Sequence, residues 1–182
     1  MLLLFNIIGG VIKHHQCQHH KHQLYRRISI AIVGSGPSGF YTAKYLKKLP
    51  QGNDIEIDMF ERLPTPFGLV RSGVAPDHPE VKNVENDFVD VARSGNFNFF
   101  GNVTIGKDLQ LDELRDTYDA VVLAYGCSSD NRLPSYVSGS DLKGIISARE
   151  FVAWYNGHPD FAFMTEEIND ILGICVGEEK NV

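Results

Sequence analysis

The chain has 182 residues, 43% of them hydrophobic and 22% charged, a balance that excludes a disordered or fibrous polypeptide and suits one domain with a real core. Its net charge of −6 hides an asymmetry: residues 1–53 hold seven Lys or Arg and no acid, leaving ten bases against all 23 acids beyond. Cys17, Cys127 and Cys175 are too few and too scattered for a disulfide framework or a zinc site; with no CxxC pair there is no dithiol relay, and a reducing compartment fits.

Residues 1–27 run from an apolar start, MLLLFNIIGGVI, through His14, His15, His19, His20 and His22 to Lys21, Arg26 and Arg27. Basic and free of acids, this head reads as a mitochondrial presequence. A secretory signal is the alternative, but no positive residue precedes the apolar run and no small-residue cleavage site follows it. The run is too short for a transmembrane segment of about 20 apolar residues. The histidines have no neighbouring groups to orient them on a metal, so no metal site is expected.

Ile28 to Val33, ISIAIV, is a continuous β-branched run, the pattern of a central parallel strand buried on both faces. It leads into Gly34-Ser35-Gly36-Pro37-Ser38-Gly39. In a strand–turn–helix unit the first glycine permits the tight turn, the second admits a pyrophosphate to the backbone, and the third lets helix pack on strand. Phe40, Ala43, Leu46 and Leu49 then share one helical face, and Pro50 ends the helix. A second strand, Ile55 to Phe60, ends at Glu61, 22 residues after Gly39. An acid there accepts hydrogen bonds from an adenosine ribose and repels a 2′-phosphate, so this site suits FAD or NAD better than NADP. Glycine-rich turns also occur without a ligand. The run of strand, turn, helix, strand and acid is what points to one here.

Residues 64–80, PTPFGLVRSGVAPDHPE, hold four of the eight prolines and two glycines, which predicts a rigid, irregular path that is neither helix nor strand. Val81, Val84, Phe88, Val89 and Ala92 then recur at helical spacing from Glu80 to Ala92. FNFFGNVTI at 97–105 reads as a strand or ribbon. Tyr118 to Gly126, YDAVVLAYG, is an apolar strand ending at small residues, which by itself is only a buried strand. Trp154 and Tyr155 read as packing residues.

The stretch LPTPFGLVRSGVAPDHPEVKNV at 63–84 resembles the adrenodoxin reductases and their bacterial ferredoxin–NADP reductase relatives. FFGNVTIG at 99–106, YDAVVLAYG at 118–126 and FVAWYNGHP at 151–159 agree with it. The resemblance covers residues 28–160 and implies an α/β, Rossmann-like FAD-binding domain, a parallel sheet with a βαβ unit, incomplete relative to the two-domain family. It implies FAD contacts from Gly34, Gly36, Ser38 and Gly39 at the pyrophosphate and Glu61 on the ribose. Leu69 would lie near the flavin, Ile105 near the adenosine end, and Gly126 where the cofactor passes the backbone. His78, of the APDHP motif, would lie near flavin and nicotinamide and take part in hydride transfer. An imidazole can donate a hydrogen bond or a proton near neutral pH, although His78 could equally only pin the proline-rich loop.

A complete member would continue past FVAWYNGHP with a second glycine fingerprint for NADPH. Here residues 161–182 diverge: Asp170 to Gly177, DILGICVG, begins like a strand, but its glycines are not spaced as GxGxxG. The expectation is an FAD-dependent oxidoreductase family passing electrons from NADPH to an iron–sulfur ferredoxin of the adrenodoxin type, with the NADP site and most of the ferredoxin-docking surface missing from this chain. The acidic body would repel an acidic ferredoxin, and no nucleic acid is expected among its partners. The alternative is a truncated, non-catalytic FAD-binding fragment. An amidotransferase-associated flavin reductase is a further rival, and it lacks support because no N-terminal iron–sulfur cysteine cluster is present. The location implied is mitochondrial, in the matrix or peripheral to the inner membrane.

Overall fold

The computed structural model describes residues 2–5, 27–127, 129–131, 133–140, 142 and 144–173. These fall into two compact units: residues 1–67 with 85–126, and residues 68–84 with 127–182.

The first unit is built on a sheet. Strands β1 (Leu2–Phe5), β2 (Ile28–Val33), β3 (Ile55–Phe60), β4 (Phe97–Phe100) and β5 (Ala120–Leu123) stand in the order β1-β5-β2-β3-β4. Four of them are parallel. β2 pairs with β3 from Ile28↔Ile55 to Val33↔Phe60 and with β5 from Ile30↔Ala120 to Val33↔Leu123, which buries its last four residues as the unbroken apolar run requires. β1 is antiparallel to β5, Leu2↔Leu123 to Phe5↔Ala120, and closes that edge of the sheet. It comes from the head read above as an address segment; the five histidines of that head lie outside the described residues.

Helix α1, Pro37–Lys47, crosses from β2 to β3. It starts three residues earlier than its apolar spacing suggests because Pro37, with φ already near the helical value and no N–H to satisfy, can occupy the first turn. It also stops earlier. Lys48 caps it, and Leu49, expected on the buried face, is 49% exposed. Phe40 of α1 is the centre of one core, stacking on Phe88 of α4 (Val84–Arg93) at 4.9 Å and meeting Phe67 at 5.2 Å and Phe97 at 6.0 Å between ring centres. Lys47 fastens the helix end to the sheet: its Nζ donates to the carbonyls of Ile55, Gly95 and Asn96 at 3.2, 2.6 and 3.0 Å.

A second cluster joins Ala31, Val33, Phe60, Val121 and Leu114, the last from helix α5 (Leu111–Thr117), whose start is closed by a reciprocal capping box between Gln110 and Glu113. At its margin the Tyr118 hydroxyl donates to Asp58 at 2.5 Å. Burial, then this bond and the negative charge of Asp58, raise the phenol well above its ordinary value of about 10. The fold therefore favours the neutral phenol. That contribution is full below pH ~10 and is lost as pH rises through the folded value. Tyr118→Phe is expected to cost about 1 kcal/mol near neutrality and to remove this alkaline loss, measurable as denaturant midpoints from pH 7 to 11.

The second unit is helical. It contains α2 (Leu69–Ser72), α3 (Pro79–Lys82), α6 (Ala148–Tyr155), a 3-10 turn (Pro159–Phe161) and α7 (Met164–Leu172). Asn156 ties three of these: its Nδ2 donates to the carbonyls of Ser72 and Val152, and its Oδ1 accepts from Lys82. Ser147 caps α6, accepting from the Glu150 amide, and also bonds Asp130, which takes Arg149 at 2.6 Å. Phe151 stacks on Trp154 at 5.7 Å and the indole N–H donates to Thr165, so the packing role read for Trp154 fits its contacts.

Four further expectations differ from the structure. The proline-rich 64–80 segment is not irregular throughout, because Leu69–Ser72 and Pro79–Lys82 each close one helical turn, the second with Pro79 at its start. The 80–92 helix is broken in two at Asn83, and the 97–105 strand ends at Phe100. Asp170 to Leu172, expected to open a strand, finish α7, and Gly173 at φ 65° caps it in the left-handed conformation glycine tolerates. The remainder of that tail, with Cys175, lies outside the described residues.

Candidate dinucleotide site

The first unit turns from β2 into α1 through Gly34–Gly39, and each glycine there can be asked why it lacks a side chain. At Gly34 the backbone has φ 104°, and an added Cβ would lie 2.6 Å from the Ala124 carbonyl oxygen and the Tyr125 Cα, so both conformation and the close passage of β5 demand glycine. At Gly39 a Cβ would come 2.1 Å from the Gly34 carbonyl oxygen, so helix and turn could not close. Gly36 answers neither way. Its φ of −75° and ψ of −175° suit any residue, and nothing stands within 4 Å of where its Cβ would be. Neither the backbone nor the packing accounts for it. A cradle left open at the second glycine is what a pyrophosphate requires.

The helix end beside it is prepared for an anion. Gly36 is the N-cap of α1 yet supplies no side-chain oxygen, and the first turn holds no acid. The helix itself thus places no side-chain cap and no acid against the amides and positive dipole end of its first turn. Ser38 is exposed on this first turn.

Glu61 follows directly from β3 and is anchored on four sides. Its amide donates to Phe100 and its carbonyl accepts from Val103, both at 2.9 Å. One carboxylate oxygen, Oε2, accepts from the Ser35 amide at 3.0 Å and from the Ser35 hydroxyl at 2.7 Å; the other, Oε1, accepts from the Leu63 amide at 3.1 Å. The acid is therefore held against the glycine turn by the turn's own residue. Ser35 is fully buried, and its carbonyl in turn accepts from the amide of Phe67, a residue at φ 88°. The glycine fingerprint leaves the position of Ser35 unspecified, so spacing alone does not single it out. A hydroxyl residue between two glycines, with an acid at the end of the next strand, was the available signal.

Gly34, Gly36, Ser38, Gly39 and Glu61 are thus brought together on one edge of the first unit. Gly126, at φ 72° with no atom within 4 Å of an added Cβ, follows β5, whose end packs on Gly34. Ile105 is half-buried and packs on the cluster around Leu114. Leu69 and His78 belong to the second unit. Leu69 is 60% exposed, and His78 is exposed with Nδ1 3.1 Å from Glu80 Oε1. Among the described residues no group of three or more His, Cys, Asp or Glu side chains could hold a metal ion, and no helix is long and apolar enough to cross a membrane.

A family model described as an NAD(P)-binding Rossmann-like domain matches residues 32–88. The mitochondrial NADPH:adrenodoxin oxidoreductase of Arabidopsis thaliana is 54% identical over 157 residues, 86% of this chain and 32% of that protein. The human protein of the same name is 46% identical over 160 residues, 88% of this chain and 32% of that one. Among solved structures, Mycobacterium tuberculosis FprA in complex with NADPH superposes with a TM-score of 0.69 at 49% identity, covering 75% of this chain and 30% of that one. The chain spans about a third of the length of these relatives.

Proposed function

From a chain that is homologous over most of its length to part of the mitochondrial NADPH:adrenodoxin oxidoreductases, we propose that residues 28–160 hold FAD as the flavin-binding portion of an NADPH:ferredoxin oxidoreductase. The observation that carries this reading is Gly36, a glycine in the β2–α1 turn that neither backbone conformation nor packing requires, at the position where a pyrophosphate needs the space. When bound, FAD would accept a two-electron hydride and release electrons singly to an iron–sulfur ferredoxin of the adrenodoxin type.

The residues divide the remaining work. Gly36, Gly39 and the first amides of α1 bind the pyrophosphate, Gly34 admits the end of β5, and Glu61 takes the adenosine ribose. Gly126 lets the cofactor pass the backbone, with Ile105 toward its adenosine end and Leu69 toward its flavin. With Nδ1–H directed at the Glu80 carboxylate, His78 leaves Nε2 to hold or give a proton beside the nicotinamide. NADPH is assigned to the part of the longer relatives that residues 1–182 do not span. The site is placed in mitochondria, in the matrix or peripheral to the inner membrane, with residues 1–27 as the address; their removal would take β1 away and leave β5 as the edge of the sheet.

Titrating the 182-residue chain with FAD is expected to give saturable binding, weaker than in a chain extended by the portion its relatives carry. Added NADPH is expected to drive negligible ferredoxin reduction, because a hydride passes only between atoms held about 3–3.5 Å apart and residues 1–182 carry one glycine fingerprint. No saturable flavin binding by either chain would overturn the FAD reading. NADPH turnover by the short chain at the rate of the extended one would move the NADPH site into the residues assigned here to FAD.

A further inference from the structure

The hydrogen bonds at Glu61 limit what it can still accept. A carboxylate offers about four lone-pair positions, two on each oxygen. Oε2 already takes two donors, the amide and hydroxyl of Ser35, and Oε1 takes one, the amide of Leu63. One position remains, on Oε1. The two Ser35 contacts, at 3.0 Å from the amide and 2.7 Å from the hydroxyl, also fix the rotation of the carboxylate, because Ser35 is itself fully buried and held through its carbonyl by the Phe67 amide.

We propose that Ser35 is a positioning residue for nucleotide recognition: by saturating Glu61 Oε2 it leaves Oε1 as the single acceptor, so that Glu61 reads one of the two adenosine ribose hydroxyls and not both. This rests on the assignment of the glycine turn to an adenosine dinucleotide. The recognised hydroxyl donates to Oε1, while its neighbour faces a saturated oxygen and adds little. Ser35 thereby sets which sugar the site demands without touching it.

The test uses ADP, 2′-deoxy-ADP and 3′-deoxy-ADP as competitors of FAD on the full chain. The expected result is that one deoxy analogue binds about 10-fold or more weaker than ADP, the usual effect of losing one hydrogen bond to a charged group, while the other binds within about 3-fold of ADP. Ser35→Ala frees a position on Oε2 and unlocks the carboxylate, so the gap between the two analogues should shrink to within about 3-fold. Ser35→Gly deletes the same hydroxyl without adding an atom and repeats the measurement should alanine disturb the turn. A merely structural serine would weaken all three probes alike and leave their ratio unchanged. Equal losses for the two analogues on the unaltered chain, or a ratio that survives both substitutions, would overturn the proposal while leaving the dinucleotide reading intact. Failure of FAD and ADP alike to bind would instead remove that reading and this inference with it.

Discussion

Gly36→Asp is expected to keep the fold and abolish flavin binding. Gly36 caps α1, and aspartate is among the residues most favoured at that position, since its side-chain oxygen can accept from the free amides of the first turn. The backbone angles accept any residue and the space around the missing Cβ is open. Thermal and denaturant midpoints should therefore hold or rise slightly. The same carboxylate would occupy the cradle and compete with the pyrophosphate for the amides, which should weaken FAD binding by more than a hundredfold, or about 3 kcal/mol. Gly36→Ala should weaken it less, by bulk alone. A Gly36→Asp protein with an unchanged affinity in a flavin titration would place the cofactor elsewhere. The comparison with Gly39→Ala is instructive, because there the added Cβ would meet the Gly34 carbonyl oxygen and the loss should appear in stability before it appears in binding.

Phe40→Ala should be the most destabilising single truncation in the first unit. Phe40 is 1% exposed and stands among Phe67, Phe88 and Phe97, so its removal leaves a cavity that three rigid rings cannot collapse to fill. The cost is about 3–5 kcal/mol, a large share of a typical domain's 5–15 kcal/mol. Phe40→Leu should recover more than half of it by refilling the volume. Urea unfolding with an unchanged slope would read the difference directly as a shift in midpoint. A loss below about 1 kcal/mol would mean that the packing of α1 on the sheet is not what holds this unit together. Flavin binding should fall in parallel, since α1 supplies the amides of the cradle.

Much of the first unit is legible in the sequence. The runs ISIAIV and IEIDMF have the unbroken apolar character of strands flanked on both sides, and both strands form with the expected bounds. Apolar spacing locates the helix between them but not its ends, because it marks the packed turns and is silent about Pro37, which extends α1 toward the glycine turn. The prolines of the 64–80 segment predict an irregular path. Proline also starts helices, and that use decided Pro79–Lys82.

The sequence by itself determined the local chemistry: which residues form parallel strands, where glycine must replace a side chain, and that an acid ends the second strand of the βαβ unit. These are properties of neighbouring residues, governed by steric limits on the backbone and by side-chain periodicity. Only the tertiary structure decided three further things. It brought Ala124 onto Gly34 and Phe88 onto Phe40. It laid Leu2–Phe5 along β5. It also spent three of the four acceptor positions of Glu61 on Ser35 and Leu63. Ser35 and Glu61 are 26 residues apart. No local preference couples such positions; the parallel register of β2 on β3 does, by placing the ends of both strands side by side.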